Sequence, residues 1–305
     1  MSAIDFYIVD VFAPQKYKGN QLAVFLDLEQ IVSAEEMLHI TREINFAEST
    51  FIRSVEADGS FGVRIFTTEY EVPFAGHPTL GTAYIIAKQL SEIPSGEIIL
   101  RLKKGDIPVE LNRPDELEES KFTMQQAQPD FYGTIDSSLV ASALGLAEDH
   151  LDPHMPIEVI DTGLPYLIVF LRDLKSIQQI RLDSSKLERF LKSQRLHKEN
   201  SSTGLSTSLF FVTPETVDPE HHYHARMFVL EDGSIWEDAA TGSANGCLLA
   251  YLLKHVEPKI SVVVEQGYEM GRESLLYLNG KLKNNNYILK VGGRVVSVGQ
   301  GTWSI

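Results

Sequence analysis

The sequence predicts an α+β protein of two pseudo-symmetric domains, each a curled mixed sheet around a central apolar helix. Three observations carry this. First, two stretches match, A-G-H-P-T-L-G-T-A (Ala75 to Ala83) and E-D-A-A-T-G-S-A-N-G (Glu237 to Gly246). Each sets a glycine and small polar residues ahead of an apolar helical run. Second, the first lysine after the glycine falls at the same offset in both, Lys88 after Gly76 and Lys254 after Gly242. Third, Leu80 to Ala87 and Cys247 to Leu253 carry no charge on any face. A helix apolar all round is buried all round, and a sheet curled about it would bury it so.

The elements follow in order. Asp5 to Phe12 and Gln21 to Asp27 read as strands, with Gly19-Asn20 at the turn between them. Ser33 to Ile44 reads as a helix. Ser33 and Glu36 have capping-box spacing, and Met37, Leu38, Ile40 and Ile44 can form its buried stripe. A strand is expected near Phe51 and another from Phe61 to Thr67. The first central helix runs from Pro78 to about Leu90. Glu97 to Leu111 reads as a hairpin turning at Gly105-Asp106.

Asn112 to Asp115, followed by acids to Glu119, is the expected linker. This puts a first domain at 1–118, completed by the terminal strand at 290–305, and a second at 119–289. In the second, Lys121 to Gln126 is a strand and Asp136 caps a short helix through Leu146. Tyr166 to Leu171 is an apolar strand, and Ser184 to Leu196 a polar surface helix. Leu209 to Thr213, Tyr223 to Leu230 and Ile260 to Glu265 are strands. The second central helix spans Ser243 to His255. The tail, Tyr287 to Ile305, reads as two strand-like runs turning at Gly292-Gly293.

Composition excludes several function classes. Lys+Arg is 27 against Asp+Glu 42, a formal charge of -15, which argues against nucleic acid or an anionic membrane as a partner. The single cysteine, Cys247, removes an internal disulfide and a cysteine metal cluster, and reads as a packed core thiol. No signal peptide is visible, and no run reaches the roughly 20 apolar residues that span a bilayer. A cytoplasmic protein is expected. No phosphate-loop lysine motif, dinucleotide fingerprint or serine nucleophile elbow is present.

The chemistry-bearing positions cluster at the two helix starts. Pro78 suits the first helical turn, where its missing N–H costs nothing. The amides near Gly76, His77 and Thr79, and those of Gly242, Ser243 and Ala244, can then point at a ligand. Uncapped amides and the positive end of the helix dipole favour a carboxylate or phosphate. One such motif is more often an ordinary cap; two matched ones point to a small anionic substrate. Glu48, in a polar cluster before an apolar strand, is a solvated acid unless it is tucked beside these helix ends, where it could act as a general base. Asp238 could cap the second helix or hold a substrate amine or hydroxyl. His77, in a Gly-His-Pro turn, is expected to be exposed to the cleft as a proton donor or orienter. His221, His222 and His224 read as a solvated loop rather than a metal site, since no further His or Cys stands at ligand spacing.

Together these residues resemble the PhzF family of phenazine-biosynthesis-like isomerases, which share the diaminopimelate epimerase fold. The resemblance rests on Gly19-Asn20 with Ala23-Val24-Phe25, N-F-A-E-S-T-F from Asn45 and R-I-F-T from Arg64. It continues through P-F-A-G-H-P-T from Pro73, R-M-F from Arg226, E-D-A-A-T-G-S-A from Glu237 and the terminal Gly299 to Thr302. It covers nearly the whole chain, in order. Gln21 departs from it, standing where the family usually has proline. The Glu231-Asp232-Gly233 segment looks expanded, and the triple-His stretch is not a hallmark.

The resemblance implies an active site in a cleft between two similar domains, a homodimer, and neither metal nor organic cofactor. It assigns proton transfer to Glu48, with His77 and Asp238 as partners. Gly76, Gly242, Ser243, Ala244 and Asn20 would line the substrate site. The implied reaction isomerises 2,3-dihydro-3-hydroxyanthranilate, a small cyclic carboxylate, by moving a proton from C3 to C1. Related epimerases carry one cysteine at each helix start. Ala75 and Ala239-Ala240 stand there in this chain, which rules out two-thiol racemisation. The alternatives are a racemase or epimerase of an amino or hydroxy acid, using His77 or Asp238 as second base, and a non-catalytic carboxylate-binding homologue.

Overall fold

The computed structural model describes residues 2–91 and 96–305. In chain order the first elements are β1 (Ala3–Val11), β2 (Asn20–Leu26), α1 (Ala34–Ile44), β3 (Glu48–Val55), β4 (Phe61–Thr67) and β5 (Glu71–Val72). They are followed by α2 (Gly76–Gln89), β6 (Glu97–Leu102), β7 (Gly105–Leu111), β8 (Lys121–Gln125) and β9 (Asp130–Ile135). Next come α3 (Ser137–Leu144), β10 (Ile157–Asp161), β11 (Pro165–Phe170), α4 (Leu174–Gln178), α5 (Ser184–Ser193) and β12 (Ser208–Thr213). The chain ends with β13 (Tyr223–Glu231), β14 (Ser234–Asp238), α6 (Gly242–His255), β15 (Lys259–Gln266), β16 (Ser274–Lys283) and β17 (Asn286–Ser304). The fold is α+β, with sheets predominating.

The chain divides into two units, Met1–Gln125 with Gly292–Ile305, and Gln126–Val291. The expected break at 118–119 falls inside the first unit, because β8 pairs with β7 and carries that sheet on to Gln125.

In the first unit the pairing closes on itself. β17 runs antiparallel to β1, β1 to β2, β2 parallel to β3, and β3 antiparallel to β4. β4 then runs parallel to β6, β6 antiparallel to β7 and β7 to β8, and β8 returns to β17. Parallel neighbours need a crossover. α1 supplies it between β2 and β3, and α2 between β4 and β6. α2 packs against β1, β2, β3, β6, β7 and β8, so it lies inside the curled sheet. Its residues from His77 to Ala87 are all buried. α1 covers the outside, seating Met37 and Ile40 against Phe25, Phe51 and Phe66. Its capping box is formed as expected: Ser33 Oγ accepts from Glu36 N, and the Glu36 carboxylate accepts from Ser33 N.

The second unit repeats this order. β10 pairs antiparallel with β11, β11 parallel with β12, β12 antiparallel with β13, β13 parallel with β15, and β15 antiparallel with β16. α6 packs on β10, β11, β15 and β16. α3 and α5 close the outer face, placing Val140, Leu144, Leu187 and Leu191 against Leu167, Val169, Leu209 and Phe211. The expected surface helix at 184–196 is therefore amphipathic, with Leu187, Phe190 and Leu191 buried.

The matched motifs now have physical reasons. Arg64 makes a bidentate pair with Glu71 across β4–β5 and lies over the Phe66 ring. Arg226 does the same with Glu237 across β13–β14 and lies over Phe228. The lysines at matched offsets sit at the helix C-termini, where cations are favoured. Lys88 Nζ reaches Glu118 at 2.7 Å, and Lys254 Nζ reaches the buried Glu158 at 2.6 Å.

Some expectations need correction. Gly292-Gly293 is no turn: both lie inside the continuous strand β17. A Cβ on Gly292 would stand 2.3 Å from Thr123 Oγ1, so glycine is there for close backbone approach to β8. The β6–β7 turn is at 103–104, with Leu102 opposite Gly105. Asp232 and Gly233, both at positive φ, form a two-residue hairpin turn between Glu231 and Ser234.

Candidate active site

The first unit carries Glu48, His77, Gly76 and Asn20. Glu48 opens β3 and is largely shielded, its side chain 19% exposed. His77 lies in the first turn of α2 and, contrary to expectation, is buried at 7% exposure. The α2 chain enters its helix inside the curled sheet, and this draws the imidazole in with it. His77 Nε2 lies 3.2 Å from the Gln21 carbonyl oxygen. A carbonyl can only accept, so Nε2 carries the hydrogen and Nδ1 is the free acceptor. Burial holds the His77 pKa down to about 4, and the Gln21 carbonyl offsets only part of this. The ring is therefore neutral at pH 7, and its 3.6 Å approach to Glu48 Oε2 is a polar contact rather than an ion pair. Asn20, also buried, opens β2 opposite Val11, one residue before Gln21. No side chain caps α2, whose N-cap is Ala75.

A buried neutral histidine couples stability to pH. Above about pH 6.5 the ring is neutral folded or unfolded. Below that, the unfolded chain takes up a proton that the folded chain refuses until about pH 4. Stability is thus expected to fall as pH drops through this window, by on the order of 3 kcal/mol. His77→Gln should flatten this part of the acid limb, read as the urea midpoint against pH.

The second unit carries Asp238, Gly242, Ser243 and Ala244. Asp238 closes β14 and does not cap α6; the N-cap is Thr241. Thr241 Oγ1 donates to Asp238 Oδ2 at 2.5 Å, so the hydroxyl is turned away from the helix amides and makes no cap bond. Gly242 and Ala244 are buried in the first turn, while Ser243 is half-buried. The hydroxyls of Ser243 and Tyr166 lie 2.7 Å apart. Burial raises the Tyr166 pKa well above the phenol range, which keeps it protonated. Tyr166 escaped the sequence reading; the available signal was a hydroxyl heading an otherwise apolar strand. Cys247, one turn on, is buried beside Thr162, and burial pushes its thiol up to about 12. It is an inert core thiol, as expected.

The strand registers place the two units' residues in correspondence. Arg64 pairs with Phe51 and Arg226 with Phe211, so Glu48 and Ser208 hold matching positions. Ile65 pairs with Val72 and Met227 with Asp238, so Asp238 matches Val72. The repeat therefore supplies one carboxylate of each kind, Glu48 in the first unit and Asp238 in the second.

The histidine stretch corrects the solvated-loop expectation. His224 is fully buried, with Nδ1 2.9 Å from Glu265 and Nε2 3.0 Å from Glu269, and His221 Nδ1 is 2.8 Å from Glu265. His222 alone is exposed. Among the described residues no group of three or more His, Cys, Asp or Glu is arranged to hold a metal ion. A surface cavity of about 730 Å³ in the second unit is lined by Gln178, Arg181, Arg226, Tyr268 and Glu269 among others. It includes neither Asp238 nor Ser243, and the Arg226 donors are engaged by Glu237 and the Ile177 carbonyl.

Among the described residues no helix is long and apolar enough to cross a membrane. A sequence model for phenazine biosynthesis-like proteins, PhzC-PhzF, matches residues 9–301. The trans-2,3-dihydro-3-hydroxyanthranilate isomerase of Pseudomonas aeruginosa is 32% identical over 274 residues, covering 89% of this chain and 88% of that protein. A PhzF-family phenazine biosynthesis protein of Bacillus anthracis superposes with a TM-score of 0.85 at 23% identity, covering both chains completely. A hydroxyproline epimerase from Agrobacterium vitis shares the fold at a TM-score of 0.55 and 11% identity, over 98% of this chain and 92% of that one. The chain belongs to the PhzC-PhzF family and is an isomerase of that kind, with the diaminopimelate epimerase-like fold.

Proposed function

We propose that the protein is a cofactor-independent isomerase that moves a proton between two carbons of a small cyclic carboxylate of the 2,3-dihydro-3-hydroxyanthranilate type. Glu48 is the acid/base. It takes a proton from C3, the electron pair left behind shifts through the conjugated system, and the same carboxyl returns the proton at C1. His77, neutral and held by Gln21, orients the exchange, and Asp238 holds the substrate amine or hydroxyl. The amides of Gly76, Gly242, Ser243 and Ala244, with Asn20, bind the carboxylate. A fixed substrate and preorganised donors supply the rate, and one base is enough.

The observation that carries this reading is the register asymmetry. Glu48 lies against a neutral buried histidine at a helix start, and the matching position of the repeat is Ser208. A two-base epimerase would need a second base on the opposite face, and the matching position, a serine, does not supply it. The relative named for this reaction is 32% identical. The reading carries with it a cytoplasmic homodimer without nucleic-acid or membrane partners.

The test is turnover of trans-2,3-dihydro-3-hydroxyanthranilate in D₂O by dialysed, chelator-treated protein, followed by NMR. The expected result is isomerised product, with protium or deuterium delivered to C1. Inversion at a single carbon, or activity that returns only with an added metal or organic cofactor, would overturn it.

A further inference from the structure

Every polar atom of one fully buried side chain in the second unit is spent on the segment that carries Asp238. Gln266, at the end of β15, accepts at Oε1 from Thr241 N at 3.2 Å and from Asn245 Nδ2 at 3.0 Å. Its Nε2 donates to the Asp238 carbonyl oxygen at 3.0 Å and to Thr241 Oγ1 at 2.9 Å. Thr241 Oγ1, so fixed, has its own hydrogen left for Asp238 Oδ2. One amide thus sets the backbone of Asp238, the hydroxyl that holds its carboxylate, and the first turn of α6. The four bonds match the two donors and two acceptor sites of the amide, which leaves it one orientation.

The fold does not require this. Phe61 pairs with Leu100 and Tyr223 with Val264, so the first-unit counterpart of Gln266 is Leu102, a buried leucine. By the same registers and the matched helix starts, Val72 and Ala75 stand where the second unit has Asp238 and Thr241. The polar cluster occurs only in the unit that bears the aspartate. The next residue, Gly267, turns at positive φ, and a Cβ there would stand 2.5 Å from the Ala239 carbonyl oxygen, so β15 ends pressed against this segment.

We infer that Gln266 is a positioning residue that sets the Asp238 carboxylate and the amino end of α6 for catalysis. This rests on the role proposed for Asp238 above. Asp238 and the α6 amides are the groups proposed to hold the substrate, so misplacing them costs binding as well as rate, and the loss falls on kcat/KM.

Gln266→Leu and Gln266→Glu in the full chain, with trans-2,3-dihydro-3-hydroxyanthranilate as probe, test it. The leucine variant should lose about 10- to 100-fold in kcat/KM. The glutamate variant can donate at one oxygen only when protonated. Its kcat/KM relative to wild type should therefore rise as pH falls, whereas the leucine ratio stays flat. Wild-type kcat/KM in both variants, or a glutamate ratio that does not respond to pH, overturns the inference. If the wild-type chain leaves this compound unchanged, it is the proposed reaction that fails. Positioning is then read by backbone hydrogen exchange. In the leucine variant the Thr241 and Asn245 amides should exchange at least about tenfold faster while β13 stays protected. Unchanged exchange at those two amides would overturn it without turnover data.

Discussion

Replacing Glu48 by glutamine is expected to reduce turnover of trans-2,3-dihydro-3-hydroxyanthranilate by about 10³-fold or more, within the range that general acid–base groups supply. Glutamine keeps the shape and hydrogen-bonding capacity of the side chain but cannot carry a proton from one carbon to another. The position tolerates the change: Glu48 opens a strand, its side chain is partly exposed, and its neighbour His77 is neutral. Circular dichroism and the urea midpoint should match the wild type. A substrate analogue should bind with little change, because carboxylate binding is assigned to helix amides. Stopped exchange with retained binding identifies a proton-transfer group; wild-type turnover would remove Glu48 from the mechanism.

The largest expected effect on stability is at Arg226. Its side chain is buried, its guanidinium grips Glu237 through two bonds at 2.8 and 2.7 Å, and a third donor reaches the Ile177 carbonyl oxygen at 3.0 Å. Arg226→Met leaves Glu237 nearly buried without its cation. Breaking a buried pair on one side costs about 3–5 kcal/mol. Adding Glu237→Leu should recover most of this, because a packed apolar pair replaces the desolvated ions. The matched change Arg64→Met should cost only about 1 kcal/mol. That arginine makes the same bidentate pair but is 32% exposed, so water screens the pair and solvates the glutamate left behind. Urea unfolding of the three variants measures the contrast. Equal losses at Arg226 and Arg64 would show that burial does not govern the pair.

Much of the fold was legible because its signals are local. The uncharged runs of α2 and α6, the capping box of α1 and the apolar strand at Tyr166 each follow from residues within a few positions of one another. The strands that escaped are β5, β9, β10, β14 and β16. β5 is two residues long, and β14 is half-exposed with Trp236 on its outside. Strands such as β5 and β14 exist because a neighbour pairs with them, and their own alternation is too short or too weak to declare it; β16 alternates over ten residues and was legible though not read. Gly292-Gly293 misled for the opposite reason: a glycine pair ordinarily marks a turn, and only the proximity of Phe122 and Thr123 shows that it admits a neighbouring strand.

In the candidate site, the residues named by motif were legible and their surroundings were not. Asn20, Glu48, Gly76, His77, Asp238, Gly242, Ser243 and Ala244 follow from short conspicuous strings. Gln266 and Tyr166 lie far along the chain from the residues they hold, 25 positions from Thr241 and 77 from Ser243. His224 carried a misleading signal, since a histidine-rich stretch reads as polar while Glu265 and Glu269 make its burial affordable.

By itself the sequence determined the fold class, the repetition of one motif in two halves, and the family. Each is written in spacing and residue type, which survive without coordinates. Tertiary structure alone decided that His77 is buried and neutral, that Glu48 matches Ser208, and that Gln266 takes hold of the segment bearing Asp238. Those facts depend on strand register and on which side chains exclude water from one another. A one-residue slip in pairing would change every one of them while leaving the composition and the motifs as they are.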